Sequence, residues 1–150
     1  MEGRDLARVL SSPLSRALET CRLAGLGEQA ELRDELLEWD YGDYEGLTTA
    51  EIREQRPGWY LWRDGCPGGE TAQDVAARVD RVVAELRDLE GDAAVFAHGH
   101  VLRVLGARWV ELGPDGGARL YLATGTVCTL GWERETAVIR EWNAPATTHR

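Results

Sequence analysis

Residues 71–110, TAQDVAARVDRVVAELRDLEGDAAVFAHGHVLRVLGARWV, decide the fold because they place a helix, a buried strand and a second helix in succession. Thr71 to Leu89 is predicted to be helical, since apolar residues recur there at three- and four-residue spacing: Val75, Val79, Val82, Val83 and Leu86. The polar residues of this helix are expected elsewhere on its surface: Arg78, Arg81, Glu85 and Asp88. The continuous apolar run Ala93 to Ala97 is typical of a strand that is buried on both faces. Val101 to Val110 is predicted to form the second helix.

A strand–turn–helix unit precedes this region. The apolar stretch Ala7 to Leu10 ends in Ser11-Ser12-Pro13, and Leu14 to Leu23 is predicted to be a helix. Proline supports this helix start because the first helical turn needs no N–H donor from it. Thr48 and Glu51 have the spacing of a capping box, which predicts the start of a further helix that ends at Pro57-Gly58.

Two β-like runs, Thr126 to Trp132 and Ala137 to Trp142, flank four polar residues and predict an antiparallel hairpin. Trp59 to Trp62 is a short aromatic segment. The length of 150 residues suggests a single domain over residues 1–150, and within it helices alternate with a buried strand. Its expected fold class is α/β, a three-layer α/β/α sandwich built on a largely parallel sheet.

The composition argues against nucleic-acid and membrane partners. Asp and Glu number 26 against 17 Lys and Arg, a net charge of -9, whereas those partners require basic patches. No apolar run approaches the roughly 20 residues of a transmembrane helix, and residues 1–5 show no secretory leader. The three cysteines, Cys21, Cys66 and Cys128, lack metal-ligand spacing. We therefore expect a reduced, cytoplasmic protein with free thiols.

Two predicted strands end in residues that can carry chemistry. Ser12 to Arg16 follows the first strand, and His98 to His100 follows the later one. In open parallel sheets, ligands bind beyond the carboxyl ends of the strands. The sequence therefore predicts one ligand site with contributions from both segments.

Arg16 and His98 are the main candidates in these segments. Arg16 would lie one turn into a helix, where the dipole favours an anion and a guanidinium fits phosphate or carboxylate. The alternative is a surface arginine paired with Glu19 or Glu35. His98 is suited to catalysis or anion binding, and its alternative is a hydrogen-bonded core histidine. Metal binding by His98 and His100 is disfavoured because no third His or Cys is nearby in the sequence.

Glu38 and Tyr41 lie in the aromatic and apolar segment 36–42. A carboxylate in such surroundings is suited to general acid catalysis, with a solvated loop carboxylate as the alternative. Tyr41 is suited to hydrogen-bonding a substrate, with simple packing as the alternative. Most of the six tryptophans are expected to be core or pocket wall.

Four segments, in order along nearly the whole chain, resemble motifs of the histidine phosphatase superfamily, also called the phosphoglycerate mutase-like family. Ser11 to Thr20 is similar to its SSPLxRAxxT segment, and Glu38 to Gly46 to its ExxxGxxEG segment. Pro67 to Thr71 resembles its PGGES turn, and Ala97 to Arg103 its SHGxxxR segment. Within the family, the likeness is strongest to small bacterial acid phosphatases.

The resemblance implies a role for each matched residue. Arg16 would bind the phosphoryl group. His98 would stabilise charge on that group, helped by the backbone N–H groups of Gly99 and His100. Glu38 would protonate the leaving oxygen and then activate water.

The resemblance also implies that Tyr41 lies near the non-phosphate part of the substrate. Glu70 and Arg103 would tie loop and helix to the sheet. No metal and no organic cofactor are implied.

The family's nucleophile is a histidine in an initial Arg-His-Gly strand, and no Arg-His-Gly occurs among these 150 residues. We therefore expect an N-terminally incomplete domain that lacks one central strand. A truncated start, a partner that supplies the strand and a true non-enzyme are the three explanations.

The expected function is phosphate monoester hydrolysis of the acid phosphatase type, through a phosphohistidine whose nucleophile is outside this chain. Residues 40–45 are acidic and aromatic, which suits an apolar or aromatic ester better than the polyanionic substrate of a phosphoglycerate mutase. That mutase is one alternative, and a catalytically inactive phosphate-binding or scaffold domain is another. The partner expected is a small phosphorylated substrate, and an uncovered strand edge would favour a homodimer.

Overall fold

The computed structural model describes residues 5–146, in which a parallel three-stranded sheet and an antiparallel hairpin are accompanied by helices. In chain order the strands and α-helices are β1 (Leu6–Ser11), α1 (Ser15–Leu23), β2 (Ala30–Leu32), α2 (Thr49–Gln55), α3 (Leu61–Asp64), α4 (Ala72–Asp88), β3 (Asp92–Phe96), α5 (Gly99–Trp109), β4 (Thr126–Glu133) and β5 (Thr136–Pro145). The prediction that residues 1–5 contain no secretory leader concerns residues 1–4, which lie outside the described part of the chain, and Asp5.

The parallel sheet has the order β2-β1-β3. At its carboxyl edge Ser11 pairs with Leu32 on one side and with Phe96 on the other. The strand predicted at 93–97 is confirmed, one residue earlier than expected. The residues that follow β1 and β3 therefore begin at the same edge of the sheet.

Helices cover both faces of this sheet. Successive strand residues point to opposite faces, so Val9 packs in a cluster with Ala17 and Cys21 of α1. Leu10 lies in the larger core with α4 and α5. The predicted three-layer α/β/α arrangement on a parallel sheet is confirmed.

Helix α4 supplies much of the larger core. Thr71 caps it through a reciprocal pair of hydrogen bonds with Asp74, a capping box. Val75, Val79 and Val82 are fully buried, and burial of a valine side chain stabilises the fold by about 1.5–3 kcal/mol. The apolar spacing therefore located both the helix and its buried face.

The capped helix predicted after Thr48 is also confirmed, as α2. The Thr48 side chain accepts a hydrogen bond from the N–H of Glu51 at 3.1 Å. Helix α3 was missed, because four residues are too few to show a helical period. Its first turn is held by Asp64, whose carboxylate accepts from the N–H of Tyr60 at 2.8 Å.

The predicted antiparallel hairpin is confirmed as β4 and β5, with longer strands than expected. Arg134 lies in its turn with φ of 55°. Among the described residues the hairpin pairs only with itself and not with the parallel sheet. The largely parallel sheet is therefore confined to three strands here.

The three cysteines are free thiols, as expected. Cys21 and Cys66 are buried, and burial raises the pKa of both thiols, that of Cys66 to about 11. In residues 5–146, no helix combines the length and the apolar character needed to cross a membrane.

Candidate active site

The carboxyl edge of the sheet brings Ser12 and His98 together. The N–H of Ser12 donates to the carbonyl of Phe96 at 2.8 Å, which continues the β1–β3 ladder by one residue. The hydroxyl of Ser12 lies 2.9 Å from Nε2 of His98, and both residues are buried. The two segments predicted to share a site are in contact.

Arg16 is the second residue of α1 and is exposed. Both carboxylates considered as its alternative partners are engaged elsewhere: Glu19 with Arg22 at 3.0 Å and Glu35 with Arg33 at 3.2 Å. Within residues 5–146 no ion pair to the Arg16 guanidinium is formed. The helix N-terminus thus presents a guanidinium that remains able to bind an anion.

His98 is shielded from solvent by its position between β3 and α5. Burial lowers the pKa of its imidazole, and the positive charge of Arg16 lowers it further, against an opposing effect of the Glu38 carboxylate. His98 is thus neutral at neutral pH. Its contact with Ser12 satisfies one ring nitrogen, as a core histidine would require, and also fixes the ring beside Arg16.

The Glu38 carboxylate binds the N-terminus of α5. Its Oε1 accepts from the N–H groups of Trp39 and Val101, each at 2.9 Å, and its Oε2 accepts from the N–H of His100 at 3.2 Å. The N–H of His100, predicted to help hold the phosphoryl group, therefore donates to Glu38 in this structure. Gly99 is exposed, and no neighbouring atom lies within 4 Å of the position that a Cβ there would take.

The two oxygens of Glu38 differ in their remaining capacity. A carboxylate oxygen has two lone-pair sites, and Oε1 uses both on backbone donors, whereas Oε2 uses one. Oε2 is therefore the atom on which a proton can be carried. This arrangement is compatible with the general acid role predicted for Glu38.

Arg78 of α4 holds the segment that precedes Glu38. Its NH1 donates to the carbonyls of Glu35 and Leu37, each at 2.7 Å, and its NH2 to that of Glu38 at 3.2 Å. It also forms a two-pronged pair with Glu70, both distances being 2.9 Å. The prediction that placed Arg78 on the helix surface is wrong, because these partners bury most of its side chain.

The loop after Glu38 is locked to the loop at residues 66–70 through two glycines. Gly42 has φ of +51°, and a Cβ on it would come within 2.3 Å of the carbonyl oxygen of Pro67. A Cβ on Gly69 would come within 2.3 Å of the carbonyl oxygen of Asp40. Only glycine permits this approach, so the two loops are in direct backbone contact.

Glu70 and Arg103 were predicted to tie loop and helix to the sheet, and both instead connect loops to helices. Besides Arg78, Glu70 binds the N–H of Asp40 at 2.9 Å. Arg103 of α5 donates to the carbonyls of Gly117 and Ala118 at 3.0 and 3.1 Å.

Tyr41 and His100 lie beside a pocket of about 450 Å³. The Tyr41 hydroxyl and Nδ1 of His100 are 2.5 Å apart. Burial raises the pKa of Tyr41, reinforced by the charge of Glu38, and burial lowers the pKa of His100. Trp59 and Trp62 line the same pocket, in keeping with the expectation that tryptophans form core or pocket wall.

In the part of the chain that the structure describes, no three His, Cys, Asp or Glu side chains are grouped so as to hold a metal ion. What the edge of the sheet does assemble is a guanidinium, a neutral imidazole, a helix-bound carboxylate and an adjoining aromatic pocket. The family model of the histidine phosphatase superfamily (branch 1) matches residues 1–145. The chain belongs to the histidine phosphatase superfamily. The resemblance inferred from the four ordered motifs is thus confirmed.

Curated relatives within this superfamily include phosphatases. An acid phosphatase of Mycobacterium tuberculosis is 42% identical over 136 residues, which cover 87% of this chain and 66% of that protein. A sedoheptulose 1,7-bisphosphatase of Saccharomyces cerevisiae is 39% identical over 135 residues, covering 73% of this chain and 49% of that protein. This histidine phosphatase chain therefore spans about two thirds of the first relative and about half of the second.

A solved structure gives the same result for the fold. The product of open reading frame Rv3214 of Mycobacterium tuberculosis is 38% identical, with a TM-score of 0.86 over 92% of this chain and 72% of that one. The phosphoglycerate mutase-like fold class is confirmed by this superposition.

Proposed function

We propose that this chain carries the phosphoryl-binding and proton-transfer residues of a phosphate monoester hydrolase of the acid phosphatase type. The observation that carries the proposal is the grouping of the Arg16 guanidinium, which has no ion-pair partner among residues 5–146, with the buried Ser12–His98 contact, at the edge where Glu38 binds α5. The charge of Arg16 lowers the pKa of His98, so the positive charge reaches the imidazole. A phosphoryl dianion between the two residues would compensate the charge.

The proposed reaction has two steps. A histidine nitrogen attacks phosphorus and the ester P–O bond breaks, while Glu38 transfers its proton to the leaving alcohol oxygen. Water then attacks phosphorus, Glu38 takes the proton of that water, and the P–N bond breaks to release inorganic phosphate. Arg16 and His98 stabilise the charge on the phosphoryl oxygens in both steps.

The attacking histidine is proposed to come from outside these 150 residues, because none of them forms an Arg-His-Gly segment. Its source is testable by expressing the chain with the genomic sequence that precedes Met1. Hydrolysis of p-nitrophenyl phosphate by that form, and not by the 150-residue chain, is the expected result. A strand supplied by a partner would instead give hydrolysis only when the partner is added.

The proposed substrate is a small apolar or aromatic phosphate ester. Aromatic residues of the pocket, Tyr44, Trp59 and Trp62, suit such a group. The mutase alternative is tested by comparing p-nitrophenyl phosphate with 3-phosphoglycerate. Strong mutase turnover without monoesterase activity would overturn the preference for a hydrolase.

The inactive-domain alternative is tested by phosphate binding. The 150-residue chain is expected to bind inorganic phosphate or vanadate. Arg16→Ala is expected to weaken this binding at least tenfold, because it removes at least one hydrogen bond between charged groups. Binding that does not depend on Arg16 would refute the proposed site. Binding without hydrolysis in every form of the protein would establish a non-enzymatic domain.

We also propose a cytoplasmic location and a homodimer. The three free thiols support the first, because disulfides form in oxidising compartments. The second is supported by β3, which pairs on one side only within the described residues. Cell fractionation tests the location, and light scattering of the purified protein tests the dimer.

A further inference from the structure

His100 takes part in two neighbouring features of the molecule. Its backbone N–H binds Glu38, and its side chain lines the pocket of about 450 Å³. The remaining lining is mostly aromatic and aliphatic: Tyr44, Leu47, Ile52, Trp59, Tyr60 and Trp62. The lining also includes the polar side chains of Glu45, Thr49 and Arg53, so the imidazole is one of several polar groups that a ligand in this pocket would meet.

Aromatic rings fix the orientation of this imidazole. Trp39, Tyr41 and Trp62 all meet the ring of His100 edge-on, with centroid separations of 6.1, 5.7 and 5.8 Å. Such T-shaped contacts are directional. The two ring nitrogens consequently have different and fixed surroundings.

Tyr41 determines which nitrogen carries the proton. Burial keeps His100 neutral and keeps the Tyr41 hydroxyl protonated, so each group has one proton to donate. If the hydroxyl donates to Nδ1, its own proton is satisfied and the ring proton resides on Nε2. If Nδ1–H of His100 donated to the Tyr41 oxygen instead, the tyrosine proton and the Nε2 lone pair would both lack partners in residues 5–146. That tautomer has the higher free energy because two hydrogen-bonding groups stay unsatisfied.

Nε2 of His100 is open to a ligand. It has no hydrogen-bond partner among residues 5–146. A side-chain nitrogen or oxygen without a partner that is also closed off from solvent occurs in that range only at Nε of Arg87. Nε2 is therefore reached by solvent, and the cavity that His100 lines is the described pocket.

We propose that His100 is a specificity-determining residue, whose Nε2–H, positioned by Tyr41, donates a hydrogen bond to an acceptor atom on the alcohol part of the substrate. The substrate class is then a phosphate ester of an aryl or similarly flat alcohol that carries a carbonyl or ether oxygen on the side away from phosphate. This inference rests on the proposed function, since it needs the phosphoryl group bound beside Arg16.

The tautomer is tested directly on the 150-residue chain. Nitrogen-15 NMR of the His100 ring is expected to show a protonated Nε2 and an unprotonated Nδ1. In Tyr41→Phe the two tautomers are expected to become mixed. A protonated Nδ1 in the unsubstituted chain would overturn the proposal.

The specificity is tested with two ligands of similar shape, 4-acetylphenyl phosphate and 4-ethylphenyl phosphate, whose dissociation constants are measured by titration. The unsubstituted chain is expected to prefer the acetyl compound about fivefold, the contribution of one neutral hydrogen bond. His100→Phe keeps an aromatic ring in the same contacts and is expected to remove the preference. His100→Gln restores an amide donor and is expected to recover part of it.

Two further variants separate this inference from the proposed function. Arg16→Ala is expected to weaken both ligands equally, and Tyr121→Phe, at an exposed residue outside the pocket, is expected to change neither. If both ligands depend on Arg16 but His100→Phe retains the fivefold preference, the role of His100 is refuted and the phosphate site stands. If neither ligand depends on Arg16, the proposed function itself fails.

Discussion

Arg78→Met is expected to lower the free energy of unfolding by about 3 kcal/mol. The guanidinium binds Glu70 through two nitrogens and the carbonyls of Glu35, Leu37 and Glu38. Removing one partner of a buried ion pair costs about 3–5 kcal/mol. The side chains of Arg78 and Glu70 are 13% and 21% exposed, so screening by solvent places the expected loss at the lower end of that range.

Urea denaturation followed by tryptophan fluorescence measures this loss. With a slope of about 2 kcal/mol per molar urea, the midpoint is expected to fall by about 1.5 M. Arg81→Met is the matched control, because Arg81 lies on the same helix and is exposed, and it should change stability by less than about 0.5 kcal/mol. Equal midpoints for the two variants would refute the role assigned to Arg78.

Three further outcomes are expected. In a form that has its nucleophile, Glu38→Gln should slow p-nitrophenyl phosphate hydrolysis about 100-fold or more while phosphate affinity changes by no more than about twofold; unchanged turnover would contradict the acid role. Ser12→Ala leaves buried Nε2 of His98 without its partner and should cost about 1–3 kcal/mol in thermal or urea denaturation; no loss would show that the contact is dispensable. The Arg33 guanidinium lowers the pKa of Glu85 to about 2 from 4.5, so stability should fall as pH drops from about 4.5 toward 2. Glu85→Gln should reduce this loss of unfolding free energy between about pH 4.5 and 2, measured by urea denaturation at each pH. An equal loss in the variant would refute the assignment.

The location of the site was predictable from the sequence because it follows from topology. Apolar runs located β1 and β3, and parallel strands have their carboxyl ends at one edge. The residues immediately after those runs, Ser12 and His98, were therefore expected at the same edge, and the pairing of β1 with β3 in the structure brings them into contact. The hairpin was predictable for the same kind of reason, since two β-like runs joined by a short polar segment pair locally.

The hydrogen bonds within the site were not predictable, because their partners are distant in sequence or belong to the backbone. Arg78 lies 40 residues from Glu38, whose carbonyl it binds, and its place in the helical pattern indicated only a surface residue. The Glu38 carboxylate is bound by backbone N–H groups, which nearly every residue type has, so the amino-acid sequence does not indicate them. The family resemblance assigned the N–H of His100 to phosphate, whereas it binds Glu38 in the structure.

The backbone anchoring of Glu38 makes the position of its carboxylate depend on main-chain groups and not on the side chain at position 100. The carboxylate is held by main-chain N–H groups, two of them from residues 100 and 101, and every amino acid except proline provides such a group. Under the proposed roles of Glu38 and His100, a gene library that randomises position 100 is expected to alter the preferred ester while the proposed proton donor stays in place. Natural divergence at position 100 would have the same route open to it, because a substitution there changes the pocket lining and leaves the main-chain N–H in place.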